Sequence, residues 1–231
     1  MPNYGRFCPV SLGSEVLADR WTPLILRELF LGNIRFNDIA RGLPGISRSL
    51  LVQRLRHFER KGVVVLWPSP TGRGHEYHLT PAGKDLEPVV EALGRWAIDW
   101  LFDELDPHDV DAINLMWWMH RRIDEEHLPP GRVVIEFAHT APERTVLWMV
   151  LDRGEASVCV QHPGFEPDLL VTSTTPALAE VFSGFETWAG ARSKDAIRVE
   201  GSPSLIKALP RWFLWSPFVD ATRARVRAAR P

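Results

Sequence analysis

The side chains best placed to do chemistry lie between residues 43 and 80. In LPGISRSLLVQRLRHFERKGVVVLWPSPTGRGHEYHLT, the basic segment after Ser47 carries Arg48, Ser49, Val52, Gln53 and Arg56 on one side of a helical repeat. Leu51, Leu55 and Phe58 recur at steps of four and three on the other side, as a core-facing stripe requires. An outward face of Arg, Ser and Gln suits base edges and phosphates. Arginine grips guanine through two hydrogen bonds, glutamine does the same with adenine, and the Val52 methyls match a thymine methyl. Pro44-Gly45 supplies a turn, Ser47 an N-cap and Gly62 a stop, so the spacing predicts a helix from Arg48 to about Lys61. VVVLW (63–67) and HEYHL (75–79) read as strands, and PSPTGRG between them as a loop with Arg73 at its tip. The predicted DNA contacts are Arg35, Ser47, Arg48, Ser49, Val52, Gln53, Arg56, Arg73 and His75. From Arg35 to Arg73 eight basic residues face two acidic ones, a local charge of +6 in a chain of −2, which favours a directed contact with a polyanion.

These residues need a scaffold, and the preceding segment supplies one. Thr22-Pro23 breaks a long helix but can open a new one, because a proline in the first turn forfeits no hydrogen bond. Helices are therefore expected near 9–18 and 22–31, with Leu24, Ile25, Leu29 and Phe30 as core. Ile34, Phe36 and Ile39 support a short helix before the basic one. Helix, turn, basic helix and hairpin make a winged helix-turn-helix, which lays one helix in the major groove.

On CPVSLGSEVLADRWTPLILRELFLGNIRFNDIARGLPGISRSLLVQRLRHFERKGVV and HEYHLTPAGKDLEPVVEALGRW, residues 7 to about 100 resemble the HxlR family of bacterial winged-helix transcription regulators. The resemblance implies operator DNA bound by a homodimer. It also implies that a cysteine near the start, here Cys8, can sense oxidants or electrophiles, and Arg6 nearby would favour a thiolate. The residues point to the dimer as well. Leu86, Val89, Val90, Leu93, Trp96, Ala97 and Trp100 form an apolar stripe, with Pro88 kinking or restarting the helix that bears it. The stripe is wide enough to call for a partner, either a second copy or the rest of the chain. A two-fold dimer would space two recognition helices one DNA turn apart and select an inverted repeat.

Beyond DELDPHDVD (103–111) the chain changes character. Residues 1–102 carry +3 and residues 103–231 carry −5. The division expected is a winged domain over 1–104, a second domain over 108–218 and a basic tail over 219–231. The second domain reads as mixed α/β: a helix in DVDAINLMWWMHRRIDEEH, strands in RVVIEFAHT, RTVLWMVLDRG, EASVCVQH and DLLVTST, then a helix, a short strand and a last helix from Pro203. Val133, Ile135 and Phe137 alternate in the first strand, and Val146, Trp148 and Val150 in the second. This order, most clearly in residues 167–209, resembles the sterol-carrier-protein family, whose fold is a sheet covered by helices around an apolar tunnel. The fold class is thus α+β, a winged helix-turn-helix plus a mixed α/β sterol-carrier-protein-like domain.

Seven of the ten tryptophans lie beyond residue 99. A pocket gripping a hydrophobic small molecule would draw on Trp117, Trp118, Phe137, Trp148, Phe185, Trp188, Trp212, Phe213 and Trp215, and the same residues would equally fill a core. PRWFLWSPF reads as a lid over a pocket or as a strap on a core. His120, Asp124 and His127 have a spacing that could offer three metal ligands, but HRRIDEEH, ended by Pro129, reads better as a solvated helix end. No nucleophile, metalloprotease or nucleotide fingerprint occurs, so no enzyme, metal or cofactor is expected. No apolar run is long enough to span a bilayer, no signal pattern opens the chain, and two cysteines suit a reducing cytoplasm. The function expected is a DNA-binding regulator modulated by a hydrophobic ligand; the alternative is a hydrophobic-ligand carrier that dimerises through the winged helix.

Overall fold

The computed structural model describes residues 8–70, 72, 74–102, 105–106 and 110–229. The chain divides into two compact units at Leu93/Gly94. That point lies inside a helix, upstream of the 104–108 stretch where composition changes; residues 104, 107 and 108 lie outside the described set.

In the first unit α1 (Pro9–Leu17) and α2 (Thr22–Phe30) both open with proline in the first turn. Then come α3 (Phe36–Arg41) and α4 (Arg48–Arg60). Ser47 caps α4 by accepting the Leu50 N–H at 3.2 Å. Gly62, at φ +70°, turns the chain out of the helix in a conformation that L side chains rarely adopt. The strands β1 (Val64–Pro68) and β2 (His75–Leu79) pair antiparallel, with Val64 opposite Leu79 and Pro68 opposite His75. The core is Ile25, Leu26, Leu29, Ile39, Leu43, Leu51, Leu55, Phe58, Val63 and Val64. Leu26 is buried where Leu24 was expected, and Leu24 and Phe30 pack at the margin.

α5 (Pro81–Lys84) follows, and the helix restarts as α6 (Glu87–Trp100) with Pro88 in its first turn. Restart, rather than a kink, is the outcome because a proline at that position has no helical N–H to forfeit.

In the second unit α7 (Ala112–His120) precedes a five-stranded sheet. Its strands are β3 (Val133–His139), β4 (Thr145–Asp152), β5 (Glu155–Cys159), β6 (Leu169–Ser173) and β7 (Ile197–Gly201), in the spatial order β5-β4-β3-β6-β7. Only β3 and β6 run parallel. α8 (Thr175–Ser183) and α9 (Trp188–Ser193) lie between β6 and β7, and α10 (Pro203–Ala208) and α11 (Val219–Ala229) follow the sheet. The segment expected to be a basic tail is therefore helix α11, whose Thr222 is buried.

One core fills the inner face of this sheet, built from Leu115, Met116 and Met119 of α7, Leu178 and Phe182 of α8, and Trp212 and Phe213. On β4 the buried residues are Leu147, Met149 and Leu151, the opposite parity to the Val146, Trp148 and Val150 read from the sequence. Both faces of this strand are apolar, so alternation alone does not say which turns inward, and a one-residue choice flips every side chain.

Candidate DNA-reading surface

Helix α4 is held on one side and open on the other. Leu51, Leu55 and Phe58 are fully buried. The α4 surface next to α1 is pinned by Lys61 to Glu15 (2.8 Å), by the His57 ring to the Glu15 carbonyl (3.1 Å), and by an ion pair between Arg54 and Asp19. Ser47, Arg48, Ser49, Gln53 and Arg56 are exposed, with Val52 half-buried among them. Six of the nine predicted DNA contacts thus share one face of α4 or its cap.

A buried carboxylate holds Arg27, which ties α2 to the end of α3. Glu28 is fully buried, accepts two bonds from Arg27 on Oε1 (3.1 and 2.8 Å) and one from Asn33 on Oε2 (2.7 Å). Arg27 also donates to the Gly42 carbonyl at 3.1 Å. Gly42 has no room for a side chain, since a Cβ there would fall 1.9 Å from Glu28 Oε2. Such a charge is tolerated because each oxygen has a partner.

Two predicted contacts are engaged within the protein. Arg48 donates to Asn37 Oδ1 at 2.7 Å and lies 5.0 Å over the Phe36 ring. Arg35 gives both Nε and Nη2 to Glu76 Oε1 at 3.2 Å. His75 is exposed at the start of β2, and Arg73 lies outside the described residues. The sequence reading missed Glu76 and Asn37. Nothing local marks Glu76, whose partner stands 41 positions earlier.

On α6 the predicted dimer residues split by depth. Leu86 and Val90 pack against the first core. Val89, Leu93, Trp96 and Trp100 are exposed, by 48%, 51%, 53% and 71%, and recur at steps of four, three and four, the period of a coiled-coil seam. Cys8 is half-buried and stands at the N-cap of α1. Hydrogen bonds from the Ser11 backbone and hydroxyl, with the Val10 backbone, hold its thiol below the ordinary value. Arg6 lies outside the described residues.

Of the nine aromatics expected to line a pocket, six meet in one core, Phe137, Trp212 and Phe213 within it and Trp118, Trp188 and Trp215 packed against it. Phe137, Trp212 and Phe213 are in the core of the second unit, while Trp148 is on the opposite face of the sheet, where its Nε1 donates to Glu136 at 3.0 Å. Trp117 and Trp118 are half-buried on α7, and Phe185 meets Phe102 at 4.9 Å. Within that core Trp188 and Phe213 have ring centres 6.0 and 5.5 Å from Trp215. The segment around them is a strap. Phe213 bridges to Ile123, the Leu214 N–H donates to the Arg122 carbonyl (2.7 Å), Arg122 Nε donates to the Trp215 carbonyl (2.8 Å), and the Ser216 N–H donates to the Phe182 carbonyl (3.0 Å). A groove of about 520 Å³ beside Arg132, Val150, Asp152 and Phe165 involves none of the nine.

His120, Asp124 and His127 do not share a helix face. α7 ends at His120, and Asp124 caps a separate turn and takes the His127 Nδ1 at 2.8 Å. Among the described residues no group of three potential ligands is arranged around a metal, and no helix is long and apolar enough to cross a membrane.

A family model described as HxlR-like helix-turn-helix matches residues 16–104. The HTH-type transcriptional regulator sll1512 of Synechocystis is 36% identical over 102 residues, 43% of this chain and 75% of that protein. YvaP of Bacillus subtilis is 35% identical over 111 residues, 47% of this chain and 99% of its own. Rv3095 of Mycobacterium tuberculosis is 43% identical over 99 residues, 42% and 62% respectively. These relatives are transcriptional regulators, not enzymes. Among solved structures, the transcription factor PA1607 is similar at 36% identity over 44% of this chain and 72% of its own, with a TM-score of 0.42. The reduced form of the regulator YodB from B. subtilis is similar at 31% identity over 42% and 96%, with a TM-score of 0.37. TM-scores this low leave the fold to be argued from the geometry above.

Proposed function

The chain belongs to the HxlR-like helix-turn-helix family of transcriptional regulators, and from that premise we propose that it reads double-stranded operator DNA through the open face of α4. The observation that carries this is the exposure of Ser49, Gln53 and Arg56 on a helix whose other side is pinned by the core and by α1. Holding the helix still before binding removes part of the ordering that recognition would otherwise require. Arg56 is assigned to a guanine, Gln53 to an adenine and Val52 to a thymine methyl. Ser47 and Arg48 at the N-terminus of α4 and His75 on the wing are assigned to the backbone, where helix amides and cations favour phosphate.

The partner proposed for α6 is a second copy of the chain, seated on Val89, Leu93, Trp96 and Trp100. Their seam period and exposure support it, and a two-fold pairing would select an inverted repeat. Modulation by a hydrophobic small molecule is assigned to the second unit, supported by the half-buried Trp188 and Trp215 beside Phe213. It requires a ligand that prefers one of two arrangements of the protein.

Selection of duplexes from a random library by the purified protein tests the reading. Recovery of an inverted repeat is expected. Arg56→Ala should then lose discrimination at one base pair per half-site by about 1–3 kcal/mol, with a smaller loss on random DNA. Equal losses on selected and random duplexes would remove α4 as the reader.

A further inference from the structure

The first turn of α3 touches both elements proposed to reach DNA. On one side Asn37 and Phe36 hold Arg48 at the start of α4. On the other, residues 34–35 run along the free edge of β2: the Tyr77 N–H donates to the Ile34 carbonyl at 2.7 Å, and Arg35 and Glu76 form an antiparallel bridge. Bridge partners put their side chains on the same face, so Arg35 and Glu76 meet by construction.

Glu76 is the unusual member. It sits on the hairpin face that carries the exposed Val65 and Trp67, yet it is only 7% exposed. Its Oε1 takes both Arg35 bonds at 3.2 Å and the Ser69 hydroxyl at 3.4 Å. The His78 Nε2 lies 3.4 Å from Oε2 without hydrogen-bond alignment, and the His78 ring stacks 4.3 Å from Trp67. A carboxylate on a DNA-facing ribbon repels phosphate unless a cation neutralises it, and it is stable at this depth only while that cation stays.

Resting on the DNA-reading function proposed above, we infer that Glu76 is the positioning residue of the wing. By taking up the Arg35 guanidinium it locks the hairpin to the first turn of α3, and so sets the wing's pose relative to α4. Arg35 is then a structural counter-ion and not a phosphate contact. Ser69 extends the lock to the end of β1.

The two roles for Arg35 give opposite results in a double-mutant cycle with Arg35→Gln and Glu76→Gln, measured on a duplex recovered by wild-type selection. As a lock, each single variant lowers affinity by about tenfold and the double variant falls no further, because contacting polar pairs are non-additive. Glu76→Gln should weaken binding even though it removes a negative charge from the face. Were Arg35 a phosphate ligand, Arg35→Gln would reduce the salt slope by about 0.9, Glu76→Gln would bind at least as tightly as wild type, and the effects would add. That pattern overturns the inference.

Hydrogen exchange on the DNA-free protein gives a second readout, independent of any operator. Amides of residues 75–79 should exchange roughly tenfold faster in both single variants while those of α4 keep their rates, since the lock is local. Unchanged wing exchange, or equal acceleration in α4, sinks the inference. If selection recovers no duplex, the DNA-reading proposal fails, and exchange still decides whether the lock exists.

Discussion

In the first unit the buried Glu28 has a donor for each oxygen, Arg27 and Asn33, whereas in the second unit the buried His139 has only the Thr175 hydroxyl on Nδ1 (3.1 Å) and, among the described residues, no partner for Nε2. Each unit both buries and exposes aromatics: Phe58 is buried and Trp67 exposed in the first, and the second buries more of them, Phe137, Trp212 and Phe213, while Trp100 is exposed. The unit that presents an open polar helix fixes it from behind with a paired buried carboxylate and a largely aliphatic core. A unit with one covered sheet face gains its stability from bulk, and a stray polar atom inside it is a weak point.

The largest expected effect follows from that bulk. Trp212→Ala should destabilise the second unit by about 3–5 kcal/mol in denaturant unfolding, the range for removing a large buried aromatic. A loss below about 1 kcal/mol would mean that Trp212 lines a space that can close or fill, and would return it to the predicted ligand set. Next is the cap of the recognition helix. Ser47→Ala should lower stability by about 1 kcal/mol and be repaired in large part by Ser47→Asp, because the lost interaction is one accepted N–H bond.

The smallest effect expected is a pH slope in the second unit. Burial pushes the His139 pKa below its ordinary 6.5, and the Asp111 carboxylate opposes this only in part. Above about 6.5 the ring is neutral folded and unfolded, so it gives no slope there. As pH falls below that value the unfolded chain takes up a proton that the folded one resists, so stability declines until the depressed folded value is passed. Unfolding curves of wild type and His139→Gln across pH 7 to 5 should therefore diverge on the acid side, with the variant flatter. Parallel curves would show that His139 has a partner in solution.

Legibility in the sequence followed the range of the interactions involved. Ser47, Gly62, Pro23 and Pro88 act on their own backbone, and each marked a helix end that the structure places within a residue or two. The 51–55–58 stripe was readable for the same reason: a helix with one apolar side has one way to lie. Strand β4 had two, and Trp148 went to the outer face because Leu147 and Met149 pack under α7 and α8. Arg35 was read as a free cation because its counter-ion is 41 residues away. The aromatic cluster in PRWFLWSPF was visible, but whether it formed a lid or a strap depended on carbonyl and amide partners at Arg122 and Phe182.

By itself the sequence determined the helix-turn-helix and hairpin order and the identity of the outward residues on α4, since caps, turns and 3.6-residue periodicity are set by neighbours along the chain. Only the tertiary structure decided which arginines are free and which are counter-ions, and which aromatics are core. Those outcomes depend on side chains brought within a few ångströms from distant positions, a proximity that no local pattern encodes.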